Sequence, residues 1–251
     1  MPWRRFALSC NESDSPVSEP FADAEFEAAR RLLRERIEET VRLEPSAIQL
    51  GGREMTWLRV ANPDVLLEHA VEQDQVGHEA TVDPFWAATW RAALGLDRFL
   101  EAVVEPGLRV LELGCGSGQA GTAAAIRGAS VLSTDSVDLA LHVAELNAWD
   151  VRERIRFQTL VWGRDQLAES PFPVIIGSDL VYDPSRFEDL FCCIGQHLAK
   201  SGRVYLSEPH RHSGDKFSVW VKQQGWKTEE HDVDLGDERV PVRIFECWKE
   251  G

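Results

Sequence analysis

Hydrophobic and polar positions change period several times along this chain, and each change marks an element. Between Asp23 and Thr40, Phe26, Ala29, Leu33 and Ile37 recur at spacings of three and four with charges opposite, which predicts an amphipathic helix. AIQLGGREMTWLRV then reads as two short strands around Gly51-Gly52, a hairpin signal. After PDVLLEHA and a polar stretch, DPFWAATWRAALGLDRFLEAVV carries Trp86, Trp90, Leu94 and Phe99 at near-helical spacing, and the plain expectation is a core-facing stripe. From Leu108 onward apolar β-type runs (RVLELG, SVLSTD, IRFQTLV, FPVIIGSD, RVYLSE) alternate with helical ones (GQAGTAAAIRG, SVDLALHVAELNA, SRFEDLFCCIGQHLAK, DKFSVWVKQQ). Repeated β-α-β units imply an α/β fold, doubly wound, with a mostly parallel sheet covered by helices on both faces. WKTEEHDVD and VPVRIFECW follow each other without a helix, so a reversed strand at the sheet edge is expected.

Three regions follow from this pattern. Residues 1–22, including the polar NESDSPVSEP, have the composition of a flexible lead-in. Residues 23–80 form an N-terminal helix and hairpin extension, and residues 81–251 a main domain. With 251 residues and 43% hydrophobic content, a core of ordinary size is available. The formal charge of -15 disfavours nucleic acid as a partner, although local basic patches survive a negative total. Five cysteines without a C-x-x-C pair suit reduced thiols in a cytosol. Neither an apolar h-region after Arg4 and Arg5 nor a run of about 18 apolar residues occurs, so a cytoplasmic protein without membrane contact is expected.

The chemistry concentrates where strands end. LELGCGSGQAG follows one strand and opens a helix, so its glycines permit a tight turn and bring backbone N–H groups close to a ligand. Gly116 to Gly121 is a literal G-x-G-x-x-G, and Asp135 ends the next strand near the spacing of a ribose-binding acid, which together form the dinucleotide fingerprint. Register separates that reading from another. An extra acid and an extra glycine precede the fingerprint in Glu112-x-Gly114-x-Gly116-x-Gly118, and a carboxylate at Glu112 is a poor neighbour for a pyrophosphate. It suits a cationic amino group. S-adenosylmethionine carries an α-ammonium, a sulfonium and a ribose but no phosphate, and so matches Glu112 plus Asp135 better than NAD does.

ExGxGxG, the strand-end Asp135, the VWG after the third strand and the Asp-x-x-Tyr of IIGSDLVYD after the fourth are together similar to the seven-strand S-adenosylmethionine-dependent methyltransferases. Specifically they resemble the family-16 group of protein-lysine methyltransferases. The resemblance spans about residues 45 to 248, including PFWAATW; the glycine motif is widely shared among methyltransferases, whereas DLVY with PFWAxxW and VWG is more specific. It implies a Rossmann-like seven-stranded sheet and a protein substrate presenting a lysine. It also implies that Trp90 packs near the methionine end of the cofactor, that Gly114, Gly116 and Gly118 supply close backbone, and that Glu112 helps hold the amino group. Asp135 is expected to accept from the ribose hydroxyls and Trp162 to stack on adenine. Val161 departs from the family pattern, which has an acid just before this Trp, so the acceptor for adenine N6 is left open.

In a doubly wound sheet, ligands bind outside the carboxyl ends of the strands near the switch in strand order, where Asp179 falls beside the glycine turn. Asp179 and Tyr182 are therefore the expected catalytic pair, holding an amine by a carboxylate and by a ring face, with Ser178 lining the cofactor. A strand-end acid can instead cap the following helix, but Asp183, immediately before Pro184, is the better cap. HRH, His210 to His212, lacks a matching ligand set for a metal and reads as a polar loop; the resemblance sets that loop beside the substrate entrance. Cys192 and Cys193 are expected to pack inertly. Competing functions are a methyltransferase acting on a small molecule or nucleic acid, a non-catalytic binder of the cofactor, and an NAD oxidoreductase. DLVY lacks the Pro-Pro-aromatic run of nucleic-acid N-methylating enzymes.

Overall fold

Alternation at period two explains how the central strands come to be covered on both faces. In β3 (Arg109–Leu113), Val110 joins one buried cluster while Leu111 and Leu113 join the other. The computed structural model describes residues 20–64, 66 and 84–250; residues 1–19, most of PDVLLEHA and the polar stretch after it lie outside them. Chain order is α1 (Pro20–Glu38), β1 (Leu43–Leu50), β2 (Arg53–Val60), α2 (Arg91–Leu100), β3, α3 (Gln119–Ile126), β4 (Ser130–Asp135) and α4 (Asp138–Asn147). It continues with β5 (Ile155–Thr159), β6 (Phe172–Ser178), α5 (Phe187–His197), β7 (Leu198–Glu208), α6 (His212–Gln223), β8 (Lys227–Val233) and β9 (Val242–Trp248). The lead-in expected over 1–22 overlaps α1, which begins at Pro20.

The seven-stranded sheet has the order β5-β4-β3-β6-β7-β9-β8 and is parallel except for β9. The chain therefore winds one way from β3 to β5 and the other way from β6, and the switch lies between β3 and β6. One face holds Leu111, Leu113, Ile175, Leu206 and Phe245 against Leu190, Phe191 and Ile194 of α5 and Phe217 and Val221 of α6. The other holds Val110, Val131, Ile176 and Ile244 against Leu96 and Leu100 of α2 and Ala120 and Ala124 of α3.

Two sequence expectations are corrected here. The reversed strand is not at the edge: β9 lies between β7 and β8, antiparallel to both. Composition accounts for this, because VRIFECW buries residues on both faces, whereas the charged KTEEHDV is exposed or half-buried throughout and makes a safer edge. The aromatic stripe of DPFWAATW is also not one helix face. A 3-10 turn at Pro84–Ala87 precedes an extended Trp90 (φ -100°, ψ 133°), and α2 starts only at Arg91. The buried face of α2 is Ala92, Ala93, Leu96 and Leu100, with Leu94 and Phe99 half-buried. Small residues set this face: a Cβ at Gly95 would stand 2.4 Å from Val242, so the helix lies directly on β9.

The hairpin forms as expected, turning at Gly51 (φ 61°) and Gly52 (φ 79°), the left-handed pair that a two-residue turn of twisted strands requires. It is fastened to the main sheet layer rather than set apart. Asn147 at the end of α4 accepts from Leu58 N–H at 2.8 Å and donates to Leu58 C=O at 3.0 Å. Ile37, Val41, Leu43, Leu58 and Val60 share a buried cluster with Trp86 and with Ala140, Val143 and Leu146 of α4.

Candidate functional site

The carboxyl ends of β3, β4 and β6 meet beside the strand-order switch and, with the Phe85–Trp90 segment and the loop after β7, enclose a cavity of about 900 Å3. Nine of the ten sequence-predicted residues line it: Trp90, Glu112, Gly114, Gly116, Asp135, Trp162, Ser178, Asp179 and Tyr182. Gly118 does not line it. At φ 93°, a Cβ there would stand 2.7 Å from that of Ala144, so this glycine serves the close approach of α3 to α4.

The floor is the glycine turn, and two acids hold it. Asp135 Oδ2 accepts from Gly116 N–H at 2.9 Å and Oδ1 from Val137 N–H at 3.0 Å, which ties the turn to the end of β4. Glu112, only 1% exposed, accepts from Gly121 N–H at 2.9 Å and from the Ser133 hydroxyl at 2.5 Å. Burial pushes its carboxyl up to about 7, against the opposing pull of the Ser133 and Gly121 hydrogen bonds. A Cβ at Gly121 would come within 2.2 Å of Glu112 Oε2. The last glycine of the G-x-G-x-x-G spacing thus has a local cause in the acid that precedes it. Gln119 Nε2 and Ser178 Oγ, both in the cavity wall, are buried without a hydrogen-bond partner in the protein. Such groups are costly unless a ligand or water meets them.

Trp162 is half-buried beside Gly114, with the Arg186 guanidinium 5.8 Å from its ring centroid. Val161, where the resemblance leads one to expect an acid, donates its N–H to Asp165 Oδ2 at 2.9 Å.

At the mouth, Asp179 turns the chain at the end of β6 in the left-handed region (φ 57°), which a short polar side chain tolerates better than most. It is 6% exposed, and its N–H donates to Ser207 C=O at 2.7 Å. Burial raises its carboxyl above the usual range, while the Arg211 guanidinium, ion-paired to Oδ1, pulls the other way. Asp183 is the cap expected of it: it accepts from Ser185 N–H at 2.9 Å ahead of Pro184. Asp179 is therefore free of that duty. Tyr182, 38% exposed, meets Phe85 edge-on at 5.6 Å, and Phe85 meets Trp90 at 6.2 Å, so three rings line the opening around one carboxylate.

Sequence reasoning missed Phe85, Gln119 and Arg211 as wall residues. Phe85 and Arg211 stood in motifs already singled out, PFWAATW and HRH, but only the fold shows which member faces inward. His210 instead pairs with Asp232 at 3.0 Å. Cys193 is buried, its thiol pushed up to about 12 by burial, whereas Cys192 is exposed, which corrects the expectation that both are packed away. Among the described residues no helix is long and apolar enough to cross a membrane.

Comparison with known proteins gives a consistent picture. A family model described as lysine methyltransferase matches residues 74–223. The chain is 30% identical over 153 residues to protein N-lysine methyltransferase METTL21A of Xenopus tropicalis, a match covering 56% of this chain and 71% of that protein. It is 32% identical over 167 residues to mouse EEF1A lysine methyltransferase 3, covering 63% and 70% respectively. Human histone-arginine methyltransferase METTL23 is 28% identical over 152 residues, covering 58% and 76%. The crystal structure of the glycopeptide N-methyltransferase MtfA, complexed with S-adenosyl-L-methionine, superposes with a TM-score of 0.56 at 13% identity, covering 65% of this chain and 97% of that one, a likeness of fold.

Proposed function

The chain belongs to the lysine methyltransferase family, and from that membership we propose that it transfers a methyl group from S-adenosylmethionine to a lysine amine of a protein substrate in the cytoplasm. The observation that carries this reading is the buried carboxylate of Asp179 ringed by Tyr182, Phe85 and Trp90 at the mouth of a cavity whose floor is a glycine turn with two acids.

The residues of the floor fit the cofactor. Glu112 and Asp135 supply negative charge for an ammonium and acceptors for ribose hydroxyls, Trp162 a ring for adenine, and the unpaired Gln119 amide a donor for a carboxylate. When bound, S-adenosylmethionine supplies an electrophilic methyl group on a sulfonium. The chain's own residues have to present the nucleophile. A lysine ammonium has no lone pair, and losing its proton at pH 7 costs about 4.6 kcal/mol from a pKa near 10.4. Asp179 does not lower that cost, because a nearby carboxylate raises an amine pKa. Its role is to bind and orient the amine and to stabilise the cationic product. Tyr182 contributes about 0.5–2 kcal/mol to the same cation. Rate comes chiefly from alignment of nucleophile, methyl and leaving sulfur.

Lysine rather than arginine is read as the acceptor because the family model that matches the chain is that of lysine methyltransferases. The test is radiolabelled methyl transfer into a lysate from a strain lacking the protein. Wild type is expected to label an acceptor protein on lysine, and Asp179→Ala to lose transfer by at least about a hundred-fold, of the order of one positioning interaction, while keeping cofactor binding. Full turnover in Asp179→Ala removes the assigned role. Label on arginine or RNA replaces the acceptor.

A further inference from the structure

The amine site described above already contains a cation. Arg211 pairs through Nη1 with Asp179 Oδ1, and its guanidinium carbon lies 5.4 Å from the Trp90 ring centroid. It shares the cavity mouth with Phe85 and Tyr182. A carboxylate plus an aromatic face is the recognition chemistry of an alkylammonium, and here a side chain of the protein itself satisfies both. At its base, Arg211 is extended (φ -77°, ψ 156°), and its N–H donates to Glu208 Oε2 at 2.7 Å. Glu208 is itself 1% exposed and pinned by Arg243 at 2.5 Å. The Arg211 side chain as a whole is 36% exposed, against 5% for Asp179. The arm is fixed where it leaves the backbone and borders water along part of its length, which lets it act as a movable latch.

We propose that Arg211 is an internal competitor for the acceptor cation: its guanidinium holds the Asp179–Trp90 position until a substrate amine displaces it. This rests on the reading of Asp179 as the amine-binding carboxylate. The latch sets selectivity. A tethered guanidinium is present at high effective concentration, so a stray surface lysine that offers only its ammonium competes poorly. A substrate that docks by additional contacts can make up the difference. While paired, the two side chains also spare Asp179 the cost of being a lone buried charge.

The test uses the full chain and n-butylammonium as a probe of the lysine side chain, with affinity read by saturation-transfer NMR. A pH of about 8 keeps the probe cationic, being well below the pKa of about 10.4 of such an amine. Arg211→Gln is expected to bind butylammonium about ten-fold more tightly than wild type, the equivalent of one charge-assisted pair. Arg211→Lys, which keeps the charge but loses the planar fork, is expected to bind about three-fold more tightly. Ethylguanidinium should displace butylammonium from Arg211→Gln. Equal or weaker binding in Arg211→Gln, with unfolding temperature and S-adenosylhomocysteine affinity unchanged, overturns the proposal. If that variant does not fold, Arg211→Lys decides, and affinity equal to wild type overturns it. Because the readout is binding, a failure of methyl transfer is registered separately: a chain that transfers nothing yet shows the competition keeps the latch and loses the lysine chemistry.

Discussion

Glu112 shows how far one side chain can be read from sequence. Its register before the glycines marked it as an acid that a pyrophosphate would not tolerate; its burial and its bonds to Gly121 and Ser133 needed the fold. Those bonds define a test. The carboxyl is raised to about 7 by burial, so the folded state takes up protons that the unfolded chain, with an ordinary value near 4.3, has released. Its contribution to stability is therefore fully present below about pH 4.3 and is lost as pH rises through about 7. Glu112→Gln keeps an acceptor for Gly121 and removes the buried charge. It is expected to raise the unfolding midpoint at pH 8 by the equivalent of about 1–3 kcal/mol, to gain little at pH 5, and to weaken S-adenosylmethionine binding about ten-fold or more. Denaturation and calorimetry at the two pH values check all three; equal stabilisation at both would remove the titration from the account. Arg211 and Gln119 stayed illegible for a reason of the same kind. Gln119 stands at a variable position of the glycine motif and Arg211 in a loop with no spacing rule, and each became visible only through its partner or its lack of one.

Elements were legible where a single period governs them. The parallel strands read correctly from their apolar runs, and the hairpin from Gly51-Gly52. Two decisions were not local. Whether β8 or β9 takes the edge depends on comparing two strands, and the face that α2 buries depends on which residues are small enough to meet β9. Gly95 makes that second point measurable. By intrinsic propensity alone, Gly95→Ala in mid-helix should stabilise by about 1 kcal/mol. The added Cβ would stand 2.4 Å from both Cβ and Cγ1 of Val242, a fully buried residue, so overpacking at about 1–3 kcal/mol is expected to win and the net change to be destabilising. Adding Val242→Ala removes Cγ1 and Cγ2 but leaves the Val242 Cβ 2.4 Å away, so it should cost only somewhat less than Val242→Ala alone, the overlap being relieved in part. Urea unfolding of the four proteins in the cycle reads the coupling; additive changes would mean that the helix simply shifts. Since Trp90 leads directly into this helix, a shift also registers at the mouth of the site.

On the scale of the whole molecule, the sequence suggested an extension followed by a main domain, and the buried clusters join the two. Ile37, fully buried in α1, belongs with Leu43 and Leu58 of the hairpin, Trp86 of the site wall, and Ala140, Val143 and Leu146 of α4. Leu50 and Trp57 of the hairpin bury Ala123 of α3, the helix that rises from the glycine turn. The extension therefore supports two elements that carry cofactor-site residues, and it has little apolar surface of its own to fold around, since a lone two-stranded hairpin is marginal in water. This makes cooperative unfolding the expected behaviour. Ile37→Ala removes buried methylenes at a cost of about 2–5 kcal/mol, and if the extension and the sheet fold as one unit the whole of that loss appears in one transition. Far-UV dichroism, which follows all helices, and near-UV dichroism, which follows the packed tryptophans, should then fall together at a lower midpoint, with S-adenosylmethionine raising both by mass action. Two separated transitions, with the cofactor shifting only the later one, would instead show that the extension is an independent cover, and that Trp86 keeps its place in the wall without it.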